Sequence, residues 1–278
     1  MATKKTVSKK INESAEHIRI APLHYPKPQV QLSELGKDTE DSELFQGHPH
    51  AIPSSAHLTY YGGPLLTNVK VYTIFWGKNW AGIASYIKLK DKINAFFKTI
   101  LVSPLIDQLH EYSVPGKTIG HGSLIGTKVI TAAAPGSSIT DTAIKARIKS
   151  WISAHTIPVP GSNTLYFVYT DINVKVIMGG GGSCTSFCGY HNDISKKIFY
   201  AVMPFPSCSG CLGGLSVFDA LTGTSSHELC EAITDPIPGK GWYDAANGEI
   251  GDICAWTFKT VSGYKVQKEW SNAANACI

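Results

Sequence analysis

At 278 residues, 43% of them hydrophobic and 17% charged, the chain can form one large domain or two small ones and bury a substantial core, which excludes global disorder. The net charge of +4 is modest and comes partly from Lys4, Lys5, Lys9 and Lys10; with no basic stripe between aromatics, no nucleic-acid partner is expected. No apolar run is long enough to span a membrane, and no apolar stretch follows the basic N-terminus to make a signal peptide.

Residues 1–57 are polar, carry Pro22, Pro26, Pro28, Pro49 and Pro53 along with His17, His24, His48 and His50, and show no period. They are expected to be a tail or a prosegment. Having no cysteine, such a prosegment could latch a metal only through a histidine or a carboxylate. From residue 58 to 278 the pattern reads as one domain. VKVYTIFWG (69–77) is rich in β-branched and aromatic residues and predicts a strand. Ile87, Ile93, Phe96, Phe97, Ile100 and Leu101 recur at helical spacing within 84–111, and Pro104 breaks that segment in two. HGSLIGTKVI (121–130) predicts a second strand, and 138–152 a helix with Ile144, Ile148 and Trp151 on one face. TLYFVYTDI (164–172) and KIFYAVMPF (197–205) predict two more strands. Leu215 to Thr234 reads as a mostly apolar helix that stops at Asp235-Pro236. Strands alternating with helices in this way make an α/β chain, and no internal repeat is visible.

The last helix carries the chemistry. In His227-Glu228-Leu229-Cys230-Glu231 the first and last residues are four apart, so an imidazole and a carboxylate share one helical face and can ligate one divalent ion. Glu228 is rotated away from that pair, where a general base for a metal-activated water belongs. Burying His-Glu-x-x-Glu without a cation would be costly, because its carboxylates lose their hydration. A catalytic site needs one more protein ligand. GWYDAANGEIGDIC (241–254) offers Asp244, Glu249 and Asp252, with Asn247-Gly248 as a tight turn returning the chain to the helix end. Either Glu249 or Asp252 could close the site, the other orienting a ligand; Asp235 is less suitable because the helix ends there. Tyr243 and His191 are candidate oxyanion donors, with Tyr243 carried as the catalytic partner of Glu228.

All seven cysteines follow residue 183. Cys184-x3-Cys188-x2-His191 and Cys208-x2-Cys211 fit either a zinc knuckle or a pair of disulfides. The odd count leaves one thiol over, and Cys230, inside the helix, is the candidate.

Several motifs, taken in order, resemble one family: LTYYGGPLLTNVKVYTIFWGKNW (58–80), CTSFCGYH (184–191), SHELCEAITDP (226–236), EIGDIC (249–254) and VQKEWSN (266–272). They are similar to the EXORDIUM, or phosphate-induced protein 1, family, over residue 58 to the end. The resemblance implies an extracellular protein. It favours disulfides among Cys184, Cys188, Cys208 and Cys211, with Cys254–Cys277 as a third. It also places the chain with relatives that keep the His-Glu-x-x-Glu helix and a downstream Glu-Ile-Gly-Asp, though Cys230 stands where relatives carry a small apolar residue. The element order further resembles a zincin metallopeptidase, with a mixed sheet, a buried active-site helix and a cysteine-braced C-terminal part. By that analogy KIFYAVMPF is the edge strand on which substrate lies.

The expected function is therefore a zinc-dependent peptidase acting on a peptide or protein. Zinc is held by His227, Glu231 and Glu249 or Asp252, and Glu228 is the base. The alternative is a non-enzymatic secreted binding protein in which a metal braces the fold.

Overall fold

A computed structural model of the chain describes residues 20–22 and 56–278. The first strands are β1 (Ile20–Pro22), β2 (Thr59–Tyr60) and β3 (Lys70–Trp76). After the short α1 (Asn79–Gly82), the expected broken helix appears as α2 (Ala84–Ile100) and α3 (Pro104–Asp107). Ser103 caps α3, and Pro104 opens it at the one place where a missing N–H costs nothing. Next come β4 (Ser123–Ile130), β5 (Ser138–Thr140) and α4 (Asp141–Ser153), the last capped by the Thr140 side chain. The chain continues through β6 (Thr164–Thr170), β7 (Lys175–Met178), β8 (Gly181–Gly182), β9 (Phe187–Ile194) and β10 (Ile198–Met203). Helices α5 (Ser209–Leu212) and α6 (Val217–Thr234) follow. The C-terminal part is built of small pairings of β11 (Trp242–Tyr243), β12 (Phe258–Val261), β13 (Tyr264–Gln267), β14 (Trp270–Ser271) and β15 (Ala276–Cys277).

The main sheet is mixed, in the order β1-β9-β10-β6-β3-β4. Strands β4, β3, β6 and β10 run parallel, β9 turns back antiparallel to β10, and β1 adds antiparallel to β9. Period-two alternation divides the side chains between two faces. Val71, Phe75, Leu165, Phe167, Tyr169, Ala201 and Met203 meet α2 and α6 on one side. Ile74, Trp76, Tyr166, Val168, Tyr200 and Val202 meet Ile144, Ile148 and Trp151 of α4 on the other. Ile87 does not share the buried stripe of α2, which runs through Ile93, Phe96, Phe97 and Ile100.

Three corrections to the sequence reading concern the site. KIFYAVMPF is not the edge: β10 lies inside the sheet between β9 and β6. The antiparallel strand next to the helix is β9, formed by the segment read only as a cysteine loop. Residues 1–57 are not wholly a tail either, since Ile20–Pro22 is a strand of the main sheet and Ala56 is in the core. The prolines and histidines singled out there, apart from Pro22, lie outside the described residues.

The cysteines pair as Cys184–Cys208, Cys188–Cys211 and Cys254–Cys277, leaving Cys230 free and buried. Two bridges pin β9 and the turn before it to the α5 segment, so the chain enters α6 from an anchor fixed to β9. The third ties the turn after Glu249 to the C-terminus. These sulfurs are thus committed to each other and not to a zinc knuckle. Among the described residues, no helix is long and apolar enough to cross a membrane.

Candidate metal centre

Helix α6 is buried from Ser225 through Thr234, charged residues included. Two serines fix its rotation: Tyr169 Oη meets Ser225 Oγ at 2.8 Å, and Gln267 N donates to Ser226 Oγ at 2.9 Å. One turn later the helical period brings His227 Nε2 to 3.0 Å from Glu231 Oε1, as the four-residue spacing requires. That contact lacks hydrogen-bond alignment, so among the described residues His227 Nε2 and both Glu231 oxygens have no hydrogen-bond partner.

Glu228 points instead toward β9. Its Oε2 meets His191 Nδ1 at 3.2 Å, while Oε1 accepts the backbone N–H of Ala21 in β1 at 3.1 Å. His191 Nε2 meets the Asp235 carbonyl at 3.1 Å; a carbonyl only accepts, so this nitrogen carries a proton. Both His191 nitrogens are therefore engaged, whereas His227 presents an open one. Gly189 of β9 allows the close approach: a Cβ there would stand 2.7 Å from Thr224 Cγ2 and 3.4 Å from Glu228 Oε1.

The turn after α6 completes the group. Gly248, at φ +94°, takes a left-handed conformation that brings the chain back. Gly251 then passes so close to the helix that a Cβ would lie 2.7 Å from His227 Nδ1 and 2.9 Å from Glu231 Oε1. Asp252 follows, and one ligand atom each from His227, Glu231 and Asp252 lie within 4.8 Å of one another. Asp252 Oδ2 also accepts the Glu249 N–H at 3.0 Å. Glu249 faces the far side, its Oε1 3.5 Å from His191 Nε2. A second possible group, His191, Glu228 and Glu231, shares Glu231 with the first. The two engaged nitrogens of His191 make it the weaker ligand set.

The remaining sequence candidates have other roles. The Asp244 carboxylate closes its own turn, accepting from Ala246 N, Asn247 N and His57 N. Burial alone would raise its pKa, but these hydrogen bonds hold it below the ordinary aspartate value. Asp235 accepts from the backbone N–H groups of Gly239, Lys240 and Gly241 beyond the helix end. Tyr243 pairs with Thr59 in the small β2–β11 sheet, its ring edge-on to Tyr61.

One residue of the site escaped the sequence reading. Gln267 Nε2 lies 2.8 Å from His227 Nδ1 and donates to the Gly251 carbonyl at 2.9 Å. It fixes the imidazole from behind, on the opposite nitrogen from Glu231. The only signal was its place in VQKEWSN, which gave no chemistry.

The electrostatics are unusual for a protein interior. His191, His227, Glu228, Glu231 and Glu249 are all 0% exposed. Among the described residues, their ion pairs within 4 Å are with one another, with no lysine or arginine joining them. Burial raises Glu228 and Glu249, the latter well above the usual range as Glu231 and Asp235 add repulsion. Burial would also raise Glu231, but the imidazoles of His227 and His191 hold it down to about 2. Burial disfavours a charge on either histidine, and the surrounding carboxylates more than reverse this, raising both. Excess buried carboxylate, with an imidazole nitrogen and carboxylate oxygens that lack aligned hydrogen bonds among the described residues, makes His227, Glu231 and Asp252 a group that could hold a divalent cation.

No protein-family model matches this sequence. A search of curated proteins likewise finds no match.

Proposed function

We propose that the chain is a zinc-dependent peptidase of the His-Glu-x-x-Glu type, related to the EXORDIUM family. The observation that carries the reading is the convergence of His227, Glu231 and Asp252 beside Glu228, all on or against one buried helix. Zinc bound there would lower the pKa of a water to about 7 and polarise a peptide carbonyl. Glu228 takes the proton from the attacking water and passes it to the leaving nitrogen. His191 steadies that carboxylate through Oε2, so Oε1 is the oxygen aimed at a peptide amide. Gln267 holds His227 in orientation from the Nδ1 side, its own amide fixed by the Gly251 carbonyl and the Trp256 N–H. Two carboxylates among three ligands lower the net charge of the site, so hydrolysis is expected to be slower than with three histidines. The three disulfides support an oxidising, extracellular setting.

Complete burial of His227, Glu228 and Glu231 favours a second reading, in which the metal only braces a secreted binding protein. Metal analysis with a peptide-library cleavage assay on wild type and Glu228→Gln separates the two. A peptidase binds one zinc in both proteins and cleaves only as wild type, with Glu228→Gln slower by about 10²–10⁴-fold. Zinc in both and cleavage by neither, also once Ala21→Pro has removed the N–H that covers Glu228, gives the bracing reading. No zinc in either after supplementation removes the site itself.

A further inference from the structure

The geometry points to the β9 edge beside Glu228 as a binding site for an extended peptide, with Ile20–Pro22 of this chain as its resident occupant. The inference rests on the peptidase reading for its consequence, but its structural content is independent. Strand β1 is three residues long and, among the described residues, pairs with β9 alone: Ile20 opposite Tyr190, Ala21 opposite Gly189, Pro22 opposite Phe187. Among the described residues it is the strand added at the β9 edge of the sheet, which is how a bound peptide meets a sheet.

Side-chain contacts continue the resemblance to a ligand. The Ala21 N–H donates to Glu228 Oε1 at 3.1 Å, so the amide of the Ile20–Ala21 bond lies against the proposed base. One residue on, the Pro22 carbonyl accepts from Trp256 Nε1 at 2.8 Å. A small cavity between Ala21, Pro22, Gly223, Thr224, Trp256 and Phe258 lies beside the strand. The groove thus recognises an extended backbone, a small residue at the Ala21 position and a carbonyl on the indole. Ala21 is buried, in keeping with a snug position over Gly189.

A segment of the same chain competes intramolecularly, so it masks the edge against weak free peptides. The chain is then latent while Ile20–Pro22 is seated, and displacing or removing that segment opens the edge. This also accounts for the burial of Glu228 without making the metal purely structural. The latch acts through a backbone amide, whereas the sequence pointed to a histidine or carboxylate.

The test uses the full chain and a fluorescent peptide with the sequence of residues 16–26 (EHIRIAPLHYP) as the probe. Ala21→Pro deletes the N–H given to Glu228 and leaves the core of residues 56–278 intact. It should tighten probe binding on the order of tenfold, the worth of one hydrogen bond to a charged group. In hydrogen exchange the β9 amides should lose protection in Ala21→Pro and regain it when probe is added. Trp256→Phe, which removes the indole N–H and part of the ring, should shift both readouts the same way by less. Thermal unfolding and circular dichroism confirm that each variant is folded. Unchanged probe affinity and unchanged β9 exchange in folded Ala21→Pro would overturn the inference. Tighter binding with no cleavage by any variant leaves the inference standing and counts against the peptidase reading alone.

Discussion

Helices α2 and α6 pack on the same face of the sheet, yet they are built on opposite principles. Helix α2 buries one apolar stripe, with Phe97 4.7 Å from Phe167 between ring centroids, and leaves its polar residues in water. Helix α6 buries its whole second half, and His227, Glu228 and Glu231 go in with Leu229 and Ile233. Burial of the first kind stabilises by about 1.5–3 kcal/mol per large side chain. Burial of the second kind costs stability unless a partner supplies the missing charge. A helix that departs this far from packing logic is where a functional or strained site is to be expected.

Perturbing each helix should break the comparison in a characteristic way. Phe97→Ala should destabilise the fold by about 3–5 kcal/mol whether or not zinc is present, measured by denaturant unfolding. Chelation should leave α2 indifferent and lower stability through α6. Restoring free zinc to a hundred times its dissociation constant should return about 2.7 kcal/mol, read as a reversible shift in Tm. If chelator and zinc leave Tm unchanged, the polar half of α6 owes nothing to a metal.

Smaller effects sharpen the picture. Gln267→Leu removes the group behind His227 and should weaken zinc binding about 10–100-fold in a competition titration, with the fold retained. Asp244→Asn tests a carboxylate near the site but outside it. Its pKa is depressed in the folded state, so its contribution is present above the unfolded value of about 4 and lost as pH falls through the folded one. The variant should flatten acid unfolding in that range and leave zinc affinity unchanged.

Much of this contrast could be read from sequence because it rests on local periodicity. The strand at 164–170 has an apolar and aromatic middle and is buried on both faces; Ile144, Ile148 and Trp151 lie three or four apart and all pack inward. His227 and Glu231 meet because a helix puts residues four apart together. Strand β9 was hidden, since Phe187–Ile194 mixes Gly, Cys, His, Asn and Asp, whose burial depends on distant partners. Tyr190, for example, donates to Asp141 of α4 at 2.8 Å, and His191 reaches Glu228 of α6. Strand β1 was hidden for a similar reason, being short, proline-ended and stabilised by a strand far along the chain. The choice between Glu249 and Asp252 also needed tertiary structure. The two are three residues apart in one turn, and only the close pass of Gly251 against His227 and Glu231 shows which side each faces. Gln267 acts on His227 across a separation of 40 residues, beyond any local pattern.

The central claim is that the buried cluster is a cation site closed by Asp252. Calorimetric zinc titration of the metal-free protein, alongside Asp252→Asn and Glu249→Gln, tests it most directly. One zinc should bind to wild type and to Glu249→Gln, and binding should be lost in Asp252→Asn. Folded wild type that takes up no zinc, or Asp252→Asn that binds as wild type does, would contradict the account.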